Sequence, residues 1–328
     1  MKKIKILATG GTIAGKAASS TQLTGYTAGA YSVEDLLASV PALGELAQIS
    51  GEQLCNIDSS SITDALLLRL AQRCNELLAQ EDVDGVVITH GTDTMEETAF
   101  FLNLTVKSDK PVVLVGAMRP ATAVSADGPL NIINAVKTAV CAESAGQGVL
   151  VVMNDEIYGG RDVMKTNTAN VATFKAPNGG ALGCIVGGEV RYYYRSVRPH
   201  TLAAEFAISR VTALPRVDII YAHIGQDRVL VDAACAAGAR GLVYAGSGMG
   251  SIHGAVEAAL AEAVQSGVVV VRSSRTGSGR VSAGLARWQE QGFLYADNLN
   301  PQKARLLLQL ALLQTHERSE VQELLLRY

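Results

Sequence analysis

Residues 4–12 read IKILATGGT, a short apolar run that ends in two glycines between hydroxyl residues. An apolar run of this length with branched side chains favours a buried β-strand, and paired glycines favour a tight turn at its end. Runs of the same kind recur along the chain, at 86–89, 111–115, 149–153, 217–221, 241–245 and 268–271. The sequence therefore predicts a series of buried strands, of which residues 4–8 form the first.

Segments of helical period separate these runs. They lie at 32–40, 62–78, 94–104, 129–140, 230–237, 252–266 and 301–313. Continuously apolar strands that alternate with amphipathic helices indicate parallel sheets covered on both faces. Asn300 followed by Pro301 predicts the start of the last helix, because asparagine caps helices and proline suits the first helical position. We predict an α/β protein with two doubly wound, Rossmann- or flavodoxin-like domains and mainly parallel sheets.

The alternation is interrupted between about 187 and 215, where the sequence shows no clear period. A chain of 328 residues fits about two domains. We interpret the interrupted stretch as a linker over 191–215. It would join a larger N-terminal domain at 1–190, carrying most of the functional site, to a smaller C-terminal α/β domain at 216–328.

Composition argues against two classes of partner. The chain has 28 Lys and Arg against 31 Asp and Glu, and aromatic residues make up 5%. A nucleic-acid binder that relies on charge and stacking is therefore not expected. No apolar run approaches the roughly 18 residues of a membrane span, and no signal-peptide pattern follows the first lysines. We expect a cytoplasmic chain, or a periplasmic one if a signal peptide has been trimmed.

Metal chemistry is not expected either. The five cysteines contain no C-x-x-C pair and the five histidines contain no H-x-x-x-H pair. Without such spacings, neither a zinc site nor a disulfide framework is indicated. We therefore predict no metal site.

Hydroxyl, carboxylate and amine side chains follow several predicted strands, and ligands of doubly wound sheets bind at those strand ends. The residues concerned are Thr9, Thr12, Thr92, Asp93 and, one loop beyond the strand at 149–153, Lys165. Ser59 and Ser60 lie beyond the region 53–57 and join this set. Thr12 lies behind two glycines whose N–H groups could stabilise an oxyanion, which suits a nucleophilic hydroxyl. The set favours recognition of a small polar zwitterion and hydroxyl-based nucleophilic chemistry.

Each of these residues also has a plain structural interpretation. Thr12 could cap the segment that follows the glycine turn. Thr92 or Asp93 could be the N-cap of the helix that carries two glutamates in its first turn, a common capping pattern. Lys165 could be a solvated surface residue. Spacing alone does not separate these alternatives from catalytic roles.

Two longer stretches resemble the signatures of the bacterial type II L-asparaginases. They are ATGGTIAG at 8–15 and VITHGTDTMEET at 87–98, and the similarity continues at 110–120, 125–129, 165–167 and 299–305. The resemblance therefore covers essentially the whole chain. It implies a two-domain α/β amidohydrolase that converts L-asparagine to L-aspartate and ammonia without a cofactor.

The resemblance also implies a role for each matching residue. Thr12 would be the nucleophile that forms an acyl-enzyme, and Tyr26 would be its hydrogen-bonded partner on a lid. Thr92, Asp93 and Lys165 would form a second triad, in which Lys165 tunes Thr92 and Asp93 also pairs the substrate ammonium.

Recognition of substrate and assembly follow from the same resemblance. Ser59 would hold the substrate α-carboxylate. The family forms homotetramers, dimers of intimate dimers, whose sites lie between two subunits.

Three positions depart from the family pattern. Ser60 stands where the family usually has a glutamine that contacts the substrate ammonium. Met249 replaces an asparagine supplied by the adjacent subunit, and Ser251 is its candidate substitute. Leu285 stands where members carry an acid, with Glu290 the nearest carboxylate. These departures leave the preference between asparagine and glutamine open, so a glutaminase-asparaginase is an alternative.

A dinucleotide-binding module is the alternative from another class. Gly246-x-Gly248-x-x-Ser251 follows a predicted strand and precedes a helix, and Arg272 ends the next strand. This arrangement is similar to a Rossmann fingerprint with a phosphate-binding arginine, although the third glycine is absent. A binding protein for small amino acids, without turnover, is a further possibility.

Overall fold

The computed structural model describes residues 1–15, 18–22, 29 and 31–328. Its internal contacts divide the chain into two compact units, Met1–Arg210 and Val211–Tyr328. The division falls within the stretch at 191–215 that we interpret as a linker. The part of this stretch that precedes the division contacts the rest of the first unit. Lys107 Nζ, for example, donates to the carbonyl of Thr201 at 3.4 Å. The boundaries 1–190, 191–215 and 216–328 stay a prediction.

The first unit is organised around an eight-stranded sheet of order β10-β9-β6-β5-β4-β3-β1-β2, as far as the described residues show. The strands of this unit are β1 Lys3–Gly10, β2 Gln48–Ile57, β3 Gly85–Thr89, β4 Val112–Val115, β5 Val149–Met153, β6 Glu156–Gly159, β7 Met164–Lys165, β8 Phe174–Lys175, β9 Gly183–Val186 and β10 Glu189–Tyr192. The run β2-β1-β3-β4-β5 is parallel, whereas β6, β9 and β10 are antiparallel. Strands β7 and β8 form a separate two-stranded hairpin.

Helices cover this sheet because their apolar faces need burial. They are α1 Val33–Ala38, α2 Leu43–Leu46, α3 Asp64–Leu78, α4 Met95–Thr105 and α5 Gly128–Val140. Thr63 starts α3 by accepting a hydrogen bond from Leu66 N at 3.3 Å, a common N-cap arrangement. All residues of β3, β4 and β5 are buried, as expected for parallel strands covered on both faces.

The second unit contains a four-stranded parallel sheet of order β11-β12-β13-β14. Its elements are β11 Val217–Tyr221, α6 Val229–Ala236, β12 Gly241–Gly246, α7 Gly254–Gln265, β13 Val269–Ser274, α8 Ala286–Glu290, β14 Leu294–Tyr295, α9 Pro301–Ala311 and α10 Arg318–Arg327. Asn300 Oδ1 accepts from Lys303 N at 3.0 Å and Pro301 is the first residue of α9, which confirms the predicted helix start. The prediction that this helix is the last one is wrong, because α10 follows it. The predicted α/β class with mainly parallel sheets is confirmed. Across the described residues, every helix is too short or too polar to cross a bilayer.

The alternative of a dinucleotide-binding fingerprint at Gly246 is wrong. Strand β12 ends at Gly246, but α7 begins only at Gly254, and a bridge between Ser247 and Ser251 closes the intervening loop. The glycines therefore do not lead directly into a helix N-terminus, which is what phosphate binding requires. Arg272 is 1% exposed, lies 4.3 Å from the ring centroid of Trp288 and donates to backbone carbonyls. Its guanidinium is thus enclosed within the unit and not presented to a phosphate.

Candidate active site

The candidate site lies at the carboxyl edge of the first unit's sheet. Strands β1, β2 and β3 are parallel neighbours, and they end at Gly10, Ile57 and Thr89. Parallel strands bring their carboxyl ends to one edge, so the polar residues that follow them meet there. The sequence predicted this edge as the location of the chemistry.

The glycine turn after β1 allows two strand ends to touch. Gly10 and Gly11 have φ angles of 100° and 83°, a left-handed conformation that glycine adopts without strain. A Cβ on Gly11 would lie 2.4 Å from the Cα and N of Gly91, in the loop after β3. The turn therefore places Thr12 beside the loop that carries Thr92.

The environment of Thr12 excludes the predicted capping role. The short 3-10 turn Thr12–Ala14 has Gly11 as its N-cap, with no side-chain capping bond, and Thr12 lies inside the turn, 8% exposed. The Gly11 N–H donates to the carbonyl of Ile57 at 3.1 Å. Gly11 is therefore not the free oxyanion donor that the sequence suggested, because its N–H holds β1 to β2.

The two serines after β2 differ in their environment. Ser59 is 3% exposed, and a Cβ on Gly91 would lie 2.6 Å from its Oγ, so its hydroxyl packs directly against the loop after β3. Ser60 is exposed, and its hydroxyl donates to Asp58 Oδ1 at 2.8 Å. The structure therefore brings Ser59 to the strand-end edge, whereas the hydroxyl of Ser60 is engaged by its neighbour.

Thr92, Asp93 and Lys165 form a connected group. Lys165 Nζ donates to Thr92 Oγ1 at 3.0 Å and to Asp93 Oδ1 at 2.5 Å. Thr92 is 5% exposed, and the Lys165 side chain is 16% exposed, whereas the Asp93 side chain is 59% exposed. The surface interpretation of Lys165 is therefore wrong. The capping interpretation also fails, because Thr94 is the N-cap residue of α4 and makes no side-chain capping bond.

Lys165 reaches Thr92 from a small hairpin elsewhere in the unit. Residue Lys165 pairs with Phe174 across β7 and β8, and the Tyr158 hydroxyl of β6 donates to the carbonyl of Phe174 at 2.7 Å. The backbone N–H of Lys165 donates to Glu96 Oε2 at 2.5 Å. These bonds bring the amine to the loop after β3, across 73 residues of sequence.

His90 also lies at this edge, although it is not among the predicted site residues. It is fully buried; burial lowers the pKa of its imidazole to about 4, although its hydrogen bond to Gly91 opposes the shift. Its Nδ1 lies 2.6 Å from the Gly91 carbonyl and its Nε2 lies 2.9 Å from Thr98 Oγ1. Because a carbonyl only accepts, Nδ1 carries the proton. A neutral His90 thus holds the Gly91 turn in place, and its position directly after β3 is the signal by which the sequence could have identified it.

The remaining predicted site residues lie either outside the described residues or in the second unit. Tyr26 lies outside the described residues. Met249, 64% exposed, and Ser251 lie in the loop between β12 and α7 of the second unit. Leu285, 44% exposed, is the N-cap residue of α8 in the same unit. Roles for these residues at a neighbouring subunit's site stay predictions.

The arrangement in the first unit suits amide hydrolysis. It places a buried threonine on one strand end and a second buried threonine, bonded to a lysine, on the neighbouring strand end. A hydroxyl nucleophile needs a partner that accepts its proton. A second hydroxyl that is hydrogen-bonded to an amine can take part in this proton transfer. The exposed carboxylate of Asp93 adds a place for a substrate cation.

Comparison with known proteins agrees with this geometry. The family model described as "Asparaginase, N-terminal" matches residues 3–198, and "Glutaminase/Asparaginase C-terminal domain" matches residues 216–325. The chain is 51% identical to L-asparaginase 2 of Bacillus subtilis, over 98% of this chain and 85% of that protein. It is 48% identical to L-asparaginase 2 of Escherichia coli, over 100% of this chain and 94% of that protein.

A solved structure shows the same fold. The crystal structure of a probable cytoplasmic L-asparaginase from Campylobacter jejuni matches with a TM-score of 0.98 and 50% identity, covering 100% of both chains. The match spans the strands whose ends carry Thr12 and Thr92. With both family models matched and the two signature stretches in place, the chain belongs to the asparaginase family.

Proposed function

We propose that this chain hydrolyses the side-chain amide of L-asparagine to L-aspartate and ammonia, through an acyl-enzyme on Thr12. Family membership supports the reaction, since relatives from Bacillus subtilis and Escherichia coli carry the name L-asparaginase 2. The observation that carries the proposal is the pair of contacts from Lys165 Nζ to Thr92 Oγ1 and Asp93 Oδ1. The substrate class is a small amino-acid amide.

The reaction proceeds in two half-reactions. The Thr12 hydroxyl attacks the amide carbon, its proton passes to the leaving nitrogen, and the C–N bond breaks to release ammonia. The acyl group remains as an ester on Thr12 Oγ1. Water then attacks the ester, the bond to Oγ1 breaks, a proton returns to Thr12, and aspartate leaves.

The second threonine directs the proton. Lys165 Nζ donates to Thr92 Oγ1, so the proton of the Thr92 hydroxyl is free to point toward the substrate. Asp93 holds the lysine amine at 2.5 Å and keeps it in that orientation. A relay of this kind contributes about 10²–10⁴-fold to proton transfer.

Substrate recognition uses the two charged groups on the Cα of the amino acid. The half-exposed carboxylate of Asp93 pairs with the substrate ammonium, and the Ser59 hydroxyl, packed on Gly91, binds the α-carboxylate. Ser60 stands where the family usually has glutamine, and its hydroxyl already donates to Asp58. Binding of the substrate ammonium therefore depends mainly on Asp93.

The proposed function is tested by steady-state ammonia release from L-asparagine, with purified chain and no added nucleotide. We expect turnover with a kcat/KM for L-asparagine above that for L-glutamine. Binding of L-asparagine in a calorimeter without ammonia release would instead indicate an amino-acid-binding protein. Turnover that required a nucleotide would reject the mechanism.

A glutaminase-asparaginase is the second candidate, and the replacement of the family acid by Leu285 favours considering it. A relative from Pseudomonas fluorescens, 44% identical, is named glutaminase-asparaginase. The same assay decides between the two. Values of kcat/KM for the two amides that agree within about threefold, or roughly 0.65 kcal/mol, would assign the broader activity.

We propose further that the active form is a homotetramer, a dimer of intimate dimers. The exposed loop that carries Met249 and Ser251 supports this proposal, because it would complete the site of a neighbouring subunit. We expect specific activity to fall on dilution in step with dissociation, followed by light scattering on the same samples. A fully active monomer would refute the requirement and remove both residues from the site.

The replacement of the family acid by Leu285 leads to a prediction about the second unit. Leu285 is 44% exposed at the start of α8, so Leu285→Glu introduces a carboxylate without burying it. A charge-assisted hydrogen bond stabilises by roughly 1.5–3 kcal/mol, so we expect kcat/KM to rise, by up to about one to two powers of ten. Steady-state kinetics on L-asparagine measure the change.

Glu290 is the control for that prediction. It is exposed at the last position of α8, five residues beyond Leu285. Because a site demands placement within about 1 Å, we expect Glu290→Gln to change kcat/KM by less than about twofold. A large loss in Glu290→Gln, with folding and assembly intact, would show that Glu290 replaces the missing acid.

The cellular location of the protein is also proposed. Relatives include a probable cytoplasmic L-asparaginase from Campylobacter jejuni and a probable periplasmic one from Haemophilus influenzae. On the basis of these relatives we propose either a cytoplasmic or a periplasmic location. Cell fractionation distinguishes the two.

A further inference from the structure

Glu96 is a buried carboxylate that the proposed mechanism does not use. It is the second residue of α4 and is 3% exposed. Its Oε2 accepts the backbone N–H of Lys165 at 2.5 Å, across 69 residues of sequence. At this burial the carboxylate does not reach substrate, so any effect on the reaction passes through the residues that it holds.

The bond from Glu96 acts on the strand that carries the catalytic amine. Strand β7 has two residues, Met164 and Lys165, and pairs only with β8 in a hairpin separate from the main sheet, within the described part of the chain. A two-stranded hairpin is marginally stable alone, so its position depends on anchors to its surroundings. One such anchor is the carboxylate of Glu96.

Strand β7 and the segment 92–96 are therefore joined at two points. The segment from Thr92 to Glu96 binds Lys165 Nζ at one end, through Thr92 and Asp93, and the backbone N–H of the same lysine at the other. Lys165 is held at its backbone N–H and at the terminal amine of its side chain. This double attachment sets the 3.0 Å distance from Nζ to Thr92 Oγ1.

We propose that Glu96 is a positioning residue for Lys165, and that the reach of its side chain, not its charge, sets the rate. The inference rests on the proposed function, because it assumes that Lys165 takes part in amide hydrolysis. A displacement of about 1 Å at a reacting group can cost about 10²-fold in rate. Loss of the anchor therefore lowers kcat more than it raises KM.

The experiment separates reach from charge with two substitutions. Glu96→Gln keeps the length of the side chain and an oxygen acceptor but removes the charge. Glu96→Asp keeps the charge but shortens the side chain by one methylene, and aspartate remains compatible with the first turn of a helix. We expect Glu96→Gln to keep kcat within about threefold of wild type. We expect Glu96→Asp to lose about 10- to 100-fold in kcat, with KM within about threefold.

The next residue supplies a matched control. Glu97 lies in the same helical turn and carries the same charge, but it is partly exposed. Glu97→Asp and Glu97→Gln are expected to change kcat by less than about twofold, on the scale of ordinary surface substitutions. Thermal unfolding of all four variants verifies the fold, and Glu96→Met replaces Glu96→Asp if the latter does not fold.

The outcomes distinguish this inference from the proposed function. Wild-type protein that releases no ammonia would reject the function, and the role of Glu96 with it. Active wild type with a Glu96→Asp variant of unchanged kcat would overturn the inference alone. A loss in Glu96→Gln as large as that in Glu96→Asp would also overturn it, because charge would then be the property that matters.

Discussion

Replacing Thr12 with alanine is expected to lower kcat for L-asparagine by at least about 10³-fold while changing the dissociation constant by less than about threefold. The side chain is 8% exposed at the turn where Gly11 meets Gly91. Alanine removes the only atom of Thr12 that can form the ester, but it leaves the binding contacts of Ser59 and Asp93 in place. Ammonia release and calorimetric titration measure the two quantities.

Thr12→Ser is the control for this substitution. Serine keeps a hydroxyl on the same Cβ, so we expect it to retain a rate within about tenfold of wild type, or roughly 1.4 kcal/mol. An alanine variant that kept a tenth of the wild-type rate would show that Thr12 is not the nucleophile. A serine variant as inactive as alanine would indicate that the threonine methyl group positions the hydroxyl.

Replacing Lys165 with methionine is the second change with a large expected effect. Methionine keeps the approximate length of the side chain but carries neither charge nor proton donor. Thr92 Oγ1 then loses its donor at 3.0 Å, and Asp93 loses its partner at 2.5 Å. We expect kcat/KM to fall by about 10²–10⁴-fold, the range of general acid–base catalysis. Steady-state kinetics and thermal unfolding measure activity and fold.

Lys175→Met is the matched control on the same hairpin. Lys175 lies on β8, its side chain is 46% exposed, and it pairs with Glu156 at 3.0 Å. Exposed ion pairs contribute about 0–1 kcal/mol to stability, so we expect activity within about twofold of wild type. Equal activity of the Lys165 and Lys175 variants would remove Lys165 from the mechanism.

Much of the fold could be predicted from the sequence because its central strands are buried on both faces. Strands β3, β4 and β5 are fully buried, so their sequences are continuously apolar and stand out from the helices between them. The edge strand β2 was harder to recognise, because Leu54 is the one buried residue of its ten and the strand contains Gly51 and Glu52. The short antiparallel strands β6, β9 and β10 were not predicted, since each contains partly or fully exposed positions and so lacks the continuously apolar run that marks β4.

The candidate site was predictable to the extent that its residues follow strands. Thr12 and Thr92 come shortly after β1 and β3, and topology alone brings such positions to one edge. The glutamates after Thr94 were readable only as helix-capping chemistry. Contact between Glu96 and Lys165 depends on how the hairpin packs, which local sequence does not encode.

The sequence by itself determined the strand–helix alternation, the family, and which hydroxyls lie at the strand ends. These properties depend on local periodicity and on short motifs, which are contained within a few turns of chain. Only the tertiary structure decided that Lys165 is enclosed against Thr92, that Ser59 and not Ser60 packs on Gly91, and that His90 is neutral. The physical reason is that burial and hydrogen bonding between residues 73 positions apart arise from packing, and packing sets which groups lose contact with water.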